Sequence, residues 1–178
     1  MSQSHPVHLI LLMGVAGCGK STVGHALAKA LGWPFRDADT FHPAANIEKM
    51  SRAIPLSNDD RWPWLDAIAA WMDDRMAHHQ HGIVSCSALK HAYRERLIGV
   101  RSGIGLVYLK GRMELIAARL GKRRDHFMPA ALLESQFAAL QEPDASERAL
   151  VVSIEAPPEQ IVAEIVDRFA LRASRGAL

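Results

Sequence analysis

Gly14-Val15-Ala16-Gly17-Cys18-Gly19-Lys20-Ser21 follows directly on the apolar run Leu9 to Met13. It fits the pattern Gly-x-x-x-x-Gly-Lys-Ser/Thr in the setting that pattern requires, a buried strand in front and a helix behind. Phosphate is a large anion that has to be held without being buried unpaired. Glycines at 14, 17 and 19 let the backbone curl so that successive N–H groups point inward. The free N–H groups and positive dipole end of the following helix extend that nest. Lys20 reaches β- and γ-phosphate oxygens as a point charge, and the Ser21 hydroxyl is placed to sit on a Mg²⁺. Cys18 stands where no particular side chain is needed and reads as a small filler. The chain reads as binding a nucleoside triphosphate, with residues Gly14 through Thr22 around it.

Outward from this loop, strands and helices alternate. Val23, Leu27 and Leu31 recur on one helical face, and Gly32 suits the end of that helix. A short strand is expected at about Phe35 to Ala38, then a helix from Ala44 to Arg52. Asn58 is a good cap for a helix running from Asp59 to about Met76, with Pro63 in its first turn, where a missing N–H costs little. Further strands are expected at Ile83 to Ser87, Leu106 to Leu109 and Leu150 to Ile154. Helices are expected at Ala88 to Ile98, at Met113 to Arg124, after Pro129, and after Pro157-Pro158. This order gives an α/β domain with a five-stranded parallel sheet and helices on both faces. Ligands then bind beyond the carboxyl ends of the strands.

The bulk composition fits a single domain over residues 1–178. Apolar residues make up 49% and charged residues 22%, which is ordinary for a soluble protein. A formal net charge of +2 leaves no electrostatic footprint for nucleic acid or anionic membrane. Met1 to Val7 is short and polar and contains Pro6, so it reads as neither signal peptide nor anchor. Cys18 and Cys86 read as free thiols in a reducing cytoplasm. His78, His79 and His81 lack an acid or cysteine at ligand spacing and read as surface histidines.

Residues just past the strands carry the candidate chemistry. Asp37 and Asp39 alternate at the end of the second strand, so one can hold Mg²⁺ while the other accepts a proton from a substrate hydroxyl. No acid closes the third strand, which ends in Cys86-Ser87-Ala88-Leu89-Lys90. That pattern favours small-molecule kinases over ATP-driven motors. Ser87 can help the metal or phosphate, and Lys90 and Arg94 can face an anionic group, although Lys90 equally fits a solvated helix face. Arg61 follows Asp59 and Asp60 and reads alone as an ordinary surface pair. Arg119 and Arg123 share a helical face in a basic run reaching His126, as a flap over the phosphates would.

Taken together, these segments resemble the bacterial gluconate kinases of the shikimate-kinase-like and nucleoside-monophosphate-kinase-like group. The resemblance runs through the phosphate loop, Asp37-Ala38-Asp39, and Phe41-His42-Pro43 with Asn46-Ile47-Glu48-Lys49-Met50. It continues through Pro55-Leu56 with Asn58-Asp59-Asp60-Arg61, Pro63-Trp64-Leu65, Cys86-Ser87-Ala88-Leu89-Lys90 with Tyr93-Arg94, and Tyr108-Leu109-Lys110-Gly111. His126-Phe127 and Leu140-Gln141-Glu142-Pro143 complete it. It implies a P-loop nucleoside-triphosphate hydrolase fold with a small mobile lid at about residues 119–128. It also implies ATP- and Mg²⁺-dependent phosphorylation of D-gluconate at its terminal hydroxyl, and commonly a homodimer.

Carried residue by residue, the resemblance makes Lys20, Asp39 and Arg123 catalytic and puts Ser21 and Asp37 at the metal. Arg119 is set against adenine. Asp39, His42, Lys49, Arg61, Ser87, Lys90, Arg94 and His126 are set around the substrate, Arg61 and Arg94 being the candidates for its carboxylate. Ala38 stands where Gly is common, and Arg124-Asp125 where Lys-Gly is familiar, so a glycine hinge is lost. The rival acceptors are shikimate, a nucleoside monophosphate or a related sugar acid. A nucleotide-dependent switch protein is the rival from another class.

Overall fold

The strand Leu9–Met13 (β1) has no solvent exposure at any of its five residues. In the computed structural model, which describes residues 6–52, 54–121 and 130–173, β1 is the middle of a five-stranded sheet. The other strands are Phe35–Asp37 (β2), Gly82–Ser85 (β3), Ile104–Lys110 (β4) and Leu150–Ser153 (β5), in the order β2-β3-β1-β4-β5. All four pairings are parallel, and Leu9 lies opposite Gly82 on one side and Ile104 on the other.

Alternation along β1 divides the interior into two layers. Ile10 and Leu12 pack with Val23, Leu27 and Leu31 of Lys20–Leu31 (α1) and with Ile161 and Ile165 of Pro158–Arg168 (α7). Leu9, Leu11 and Met13 face the other way, onto Leu65, Ile68 and Met72 of a long helix, Asn58–Ala77 (α3). A strand covered on both faces has to be apolar throughout, hence the unbroken Leu-Ile-Leu-Leu-Met. The remaining helices are Ala44–Ser51 (α2), His91–Leu97 (α4), Met113–Gly121 (α5) and Ala130–Ala139 (α6). Among the described residues no helix is long and apolar enough to cross a membrane.

Several boundaries differ from the sequence expectation for local reasons. Strand β2 stops at Asp37, whose side chain accepts the Asp39 N–H and caps a 3-10 turn, Ala38–Phe41. Ser57, not Asn58, caps α3. Its hydroxyl accepts the Asp60 N–H while the Asp60 carboxylate accepts the Ser57 N–H, a reciprocal capping box. Pro63 is therefore the sixth helical residue, beyond the first turn, and it removes the N–H that would have bonded Asp59. Helix α4 starts at His91 because Ala88, at φ 44°, is left-handed and cannot begin a right-handed helix. His81 is not a plain surface residue either: its ring stacks on Trp33 at 4.3 Å and on His8 at 5.3 Å.

Gly24 shows how closely α1 approaches β2. A Cβ there would lie within 2.8 Å of three Phe35 ring carbons. Alanine normally gains about 1 kcal/mol over glycine inside a helix, whereas overpacking costs about 1–3 kcal/mol. Gly24→Ala should therefore lower the urea midpoint at constant slope. A raised midpoint would show that the ring gives way freely.

Candidate active site

The phosphate loop lies where β1 ends, between strands whose connections run to opposite sides of the sheet. Parallel sheets bind ligands at such a point. Gly14 has φ 147°, and a Cβ there would meet the Cys18 sulfur at 2.7 Å and the Leu109 carbonyl oxygen at 2.9 Å. Gly17, at φ 80°, lies so close beneath Leu120 of α5 that a Cβ would sit 2.8 Å from that side chain. A side chain at Gly14 would clash with backbone, and one at Gly17 would strain the positive φ and displace Leu120. Gly19 precedes α1 in a left-handed conformation and contributes no side-chain cap. The N–H groups of the first helical turn, which lack intrahelical partners, are thus left for a ligand.

Lys20 Nζ spans the loop, donating to the Gly14 oxygen at 2.9 Å and the Val15 oxygen at 3.1 Å. Ser21 Oγ donates to Asp37 Oδ2 at 2.8 Å, joining α1 to the end of β2. The other Asp37 oxygen accepts the Asp39 N–H at 3.0 Å. A hydroxyl and a carboxylate oxygen this close are hard donors of the kind Mg²⁺ takes. The Asp39 carboxylate accepts no hydrogen bond among the described residues and remains open to a substrate.

Beyond Asp39 a second group of polar side chains forms a floor. The His42 ring stacks on Trp64 at 4.5 Å, and Trp64 Nε1 donates to the Ala38 oxygen at 2.7 Å. Burial lowers the His42 pKa; the nearby Asp39 charge raises it and Arg61 lowers it further. Asn46 Nδ2 donates to the Asp60 carbonyl at 2.8 Å and lies 3.3 Å from His42 Nδ1. With Asn46 Nδ2 as donor, Nδ1 accepts and the proton of neutral His42 sits on Nε2. Lys49 donates to Asp60 at 2.6 Å, and that bond chiefly holds the Asp60 carboxyl at about 2. Lys90 Nζ and the Tyr93 hydroxyl both donate to Asn58 Oδ1, at 3.1 and 2.6 Å. Arg61 is half-buried and makes no ion pair among the described residues.

Arg94 requires a correction. It is 1% exposed, and its guanidinium grips Glu147 at 2.5 and 2.8 Å while donating to the Ala88 and Leu89 carbonyl oxygens. A guanidinium with its donors so committed is not a receptor for a substrate carboxylate. It fixes the turn after β3 that carries Ser87 and Lys90. The Ser87 carbonyl oxygen accepts the Gly14 N–H at 3.3 Å.

On the far side of the loop a cleft of about 290 Å³ is lined by Gly17, Thr22, Arg119, Glu155, Pro157 and Ile161. Arg119 Nη2 donates to the Ile154 oxygen at 2.7 Å. Residues 154–158 were not singled out from sequence, although they directly follow β5 and so obey the strand-end rule. Arg123 and His126, and the lid beyond residue 121, lie outside the described residues. Burial raises the Cys18 thiol pKa and pushes that of Cys86 up to about 12. Neither thiol is a nucleophile at neutral pH.

The family model for shikimate kinase matches residues 16–170. The chain is 42% identical to the thermoresistant gluconokinase of Escherichia coli, over 92% of this chain and 94% of that protein. It is 41% identical to the gluconokinase of Gluconobacter oxydans, over 90% of each. This chain belongs to the gluconokinase family. Among solved structures, the gluconokinase of Sinorhizobium meliloti superposes with a TM-score of 0.81 at 42% identity, covering 93% of this chain and 94% of that one. The shikimate kinase model describes a core that gluconokinases share. The near-full-length identity above 40% separates this branch from it.

The Arg94–Glu147 pair predicts a stability effect. Arg94 lowers the Glu147 pKa below its ordinary 4.5, the hydrogen bond being the main cause. A depressed carboxyl contributes stability that is present above pH 4.5 and is lost as pH falls through the folded value. Glu147→Gln should cost about 3 kcal/mol at pH 7, because it leaves Arg94 buried and unpaired. It should also flatten the acid limb of the stability–pH curve. An unchanged curve in denaturant melts would rule out the pair as the acid-sensitive element.

Proposed function

We propose that this protein transfers the γ-phosphoryl group of ATP to the terminal hydroxyl of D-gluconate, giving ADP and 6-phospho-D-gluconate. One observation carries the acceptor: identity above 40% to gluconokinases over nine-tenths of the chain. The geometry supports the reaction type. A phosphate loop, an open carboxylate at Asp39, and a basic floor of Lys49, Arg61 and Lys90 suit a small anionic alcohol.

In this reading Lys20 leaves the Gly14 and Val15 carbonyls for the β- and γ-phosphate oxygens when ATP enters. Ser21 and Asp37 would hold Mg²⁺, whose chemistry there would be to neutralise charge on the phosphates. Asp39 accepts the hydroxyl proton as the acceptor oxygen bonds to phosphorus and the bond to ADP breaks. His42, present as its neutral Nε2–H tautomer, is a donor to gluconate hydroxyls. Ser87, Lys90 and His126 complete the acceptor site, and Arg61 rather than Arg94 receives the carboxylate. Arg119 stacks against adenine, and Arg123 covers the phosphates. A cytoplasmic homodimer belongs to the same proposal and rests on the family resemblance alone.

A shikimate acceptor is the second reading, favoured by the family model. ADP release with ATP and Mg²⁺ separates the two, using gluconate, related sugar acids, shikimate, glucose, AMP and no acceptor. Stimulation by gluconate is expected. Stimulation by shikimate or AMP alone would overturn the acceptor, and no stimulation with ATP still bound would favour a switch protein. Asp39→Asn should lower turnover at least about a hundredfold with ATP affinity nearly kept. Near-normal turnover would remove Asp39 from proton transfer.

A further inference from the structure

The Ala16 N–H donates at 2.7 Å to the Oε1 atom of Gln136, a residue 120 positions away on α6. The same peptide unit is held at its other end, since the Val15 oxygen accepts from Lys20 Nζ. A peptide plane points its C=O and N–H in opposite directions. Lys20 and Gln136 therefore grip this one from opposite sides. When a triphosphate draws the ammonium away, the plane keeps Gln136 on its N–H side and, on its C=O side, only the longer bond from the Cys18 N–H at 3.3 Å.

Five residues further on, the chain after α6 is fastened to the acceptor side. The Gln141 N–H donates to the Leu89 oxygen at 2.8 Å, and Gln141 Oε1 accepts the His91 N–H at 2.7 Å. These bonds hold both ends of the turn carrying Lys90, next to Ser87. One short segment thus connects, through two carboxamides, the loop that takes the nucleotide and the turn that faces the acceptor. The other direct link, from Gly14 N–H to the Ser87 oxygen, is longer at 3.3 Å.

We propose that Gln136 is a positioning residue, coupling occupancy of the phosphate loop to the geometry of the acceptor turn through α6 and Gln141. Nucleotide binding then strengthens acceptor binding, and by linkage the acceptor strengthens nucleotide binding by the same factor. This inference rests on the kinase reading above. It concerns neither the chemical step nor the identity of the acceptor.

Calorimetry with a non-hydrolysable ATP analogue and gluconate, each alone and then together, gives the coupling factor. The expectation is about tenfold synergy in the unaltered protein, falling to threefold or less in Gln136→Met and in Gln141→Met. Methionine keeps the volume and removes the acceptor oxygen, and Gln136→Glu, which keeps that oxygen, should preserve the synergy. A merely structural role would lower the melting temperature and leave the ratio unchanged. Hydrogen exchange at the His91 amide supplies an acceptor-free readout. The analogue alone should change protection there in the unaltered protein and not in Gln136→Met. If gluconate fails to bind, the acceptor assignment falls, while a nucleotide response at His91 that depends on Gln136 still supports the coupling. Where gluconate binds, synergy that persists without Gln136 or is absent from the unaltered protein overturns it; so, with or without gluconate binding, does a nucleotide response at His91 that persists without Gln136 or is absent from the unaltered protein.

Discussion

The backbone N–H groups at the start of α1 have no partner within their helix, and everything around the site is arranged to leave them available without leaving them buried. The residue before the helix is a glycine that cannot cap it, and the strand before the loop is fixed on both faces and both edges. A rigid strand therefore delivers a curled backbone to a fixed place at the middle of the sheet. Lys20 satisfies the Gly14 and Val15 carbonyls, and Ser21 binds Asp37, so each charged or polar group has a resting partner. Those partners are two neutral backbone carbonyls and one carboxylate.

The acceptor side follows from the absence of an acid at the end of β3. The carboxylates come instead from β2, one strand further out, and the 3-10 turn that Asp37 caps puts Asp39 next to His42 and Arg61. The turn after β3 carries Ser87, whose carbonyl oxygen accepts the Gly14 N–H, and Lys90, which donates to Asn58. Arg94 holds that turn in shape from inside the protein.

Local and periodic features were legible in the sequence. The strand β1, the glycine pattern, the stripe of α1 and its Gly32 terminus are all dictated by neighbours within a few residues. What sequence alone did not give depends on distant partners. Arg94 reads as a cation facing an anionic substrate until Glu147, 53 positions later, is seen to claim it. His81 reads as one of a surface cluster until Trp33 and His8 are found against it. Helix α4 begins at His91 rather than Ala88, because the left-handed turn at Ala88 leaves no mark in residue type. Ser57 is the exception: Ser57-x-x-Asp60 is a local capping pattern, and Asn58 beside it is an equally suitable residue type that the structure places inside the helix.

Buried thiols give the site a chemical character of its own. Cys18 lies inside the nucleotide loop and Cys86 beside it, yet both are almost fully enclosed and held protonated by burial. Peroxide and electrophiles attack the thiolate, and reach it only through solvent. A cysteine in the most sensitive loop of an enzyme would ordinarily make its activity follow the oxidation state of the cell. Here Cys18 is 1% exposed and packs against Gly14, so a dissolved oxidant does not reach its sulfur while the loop keeps this packing.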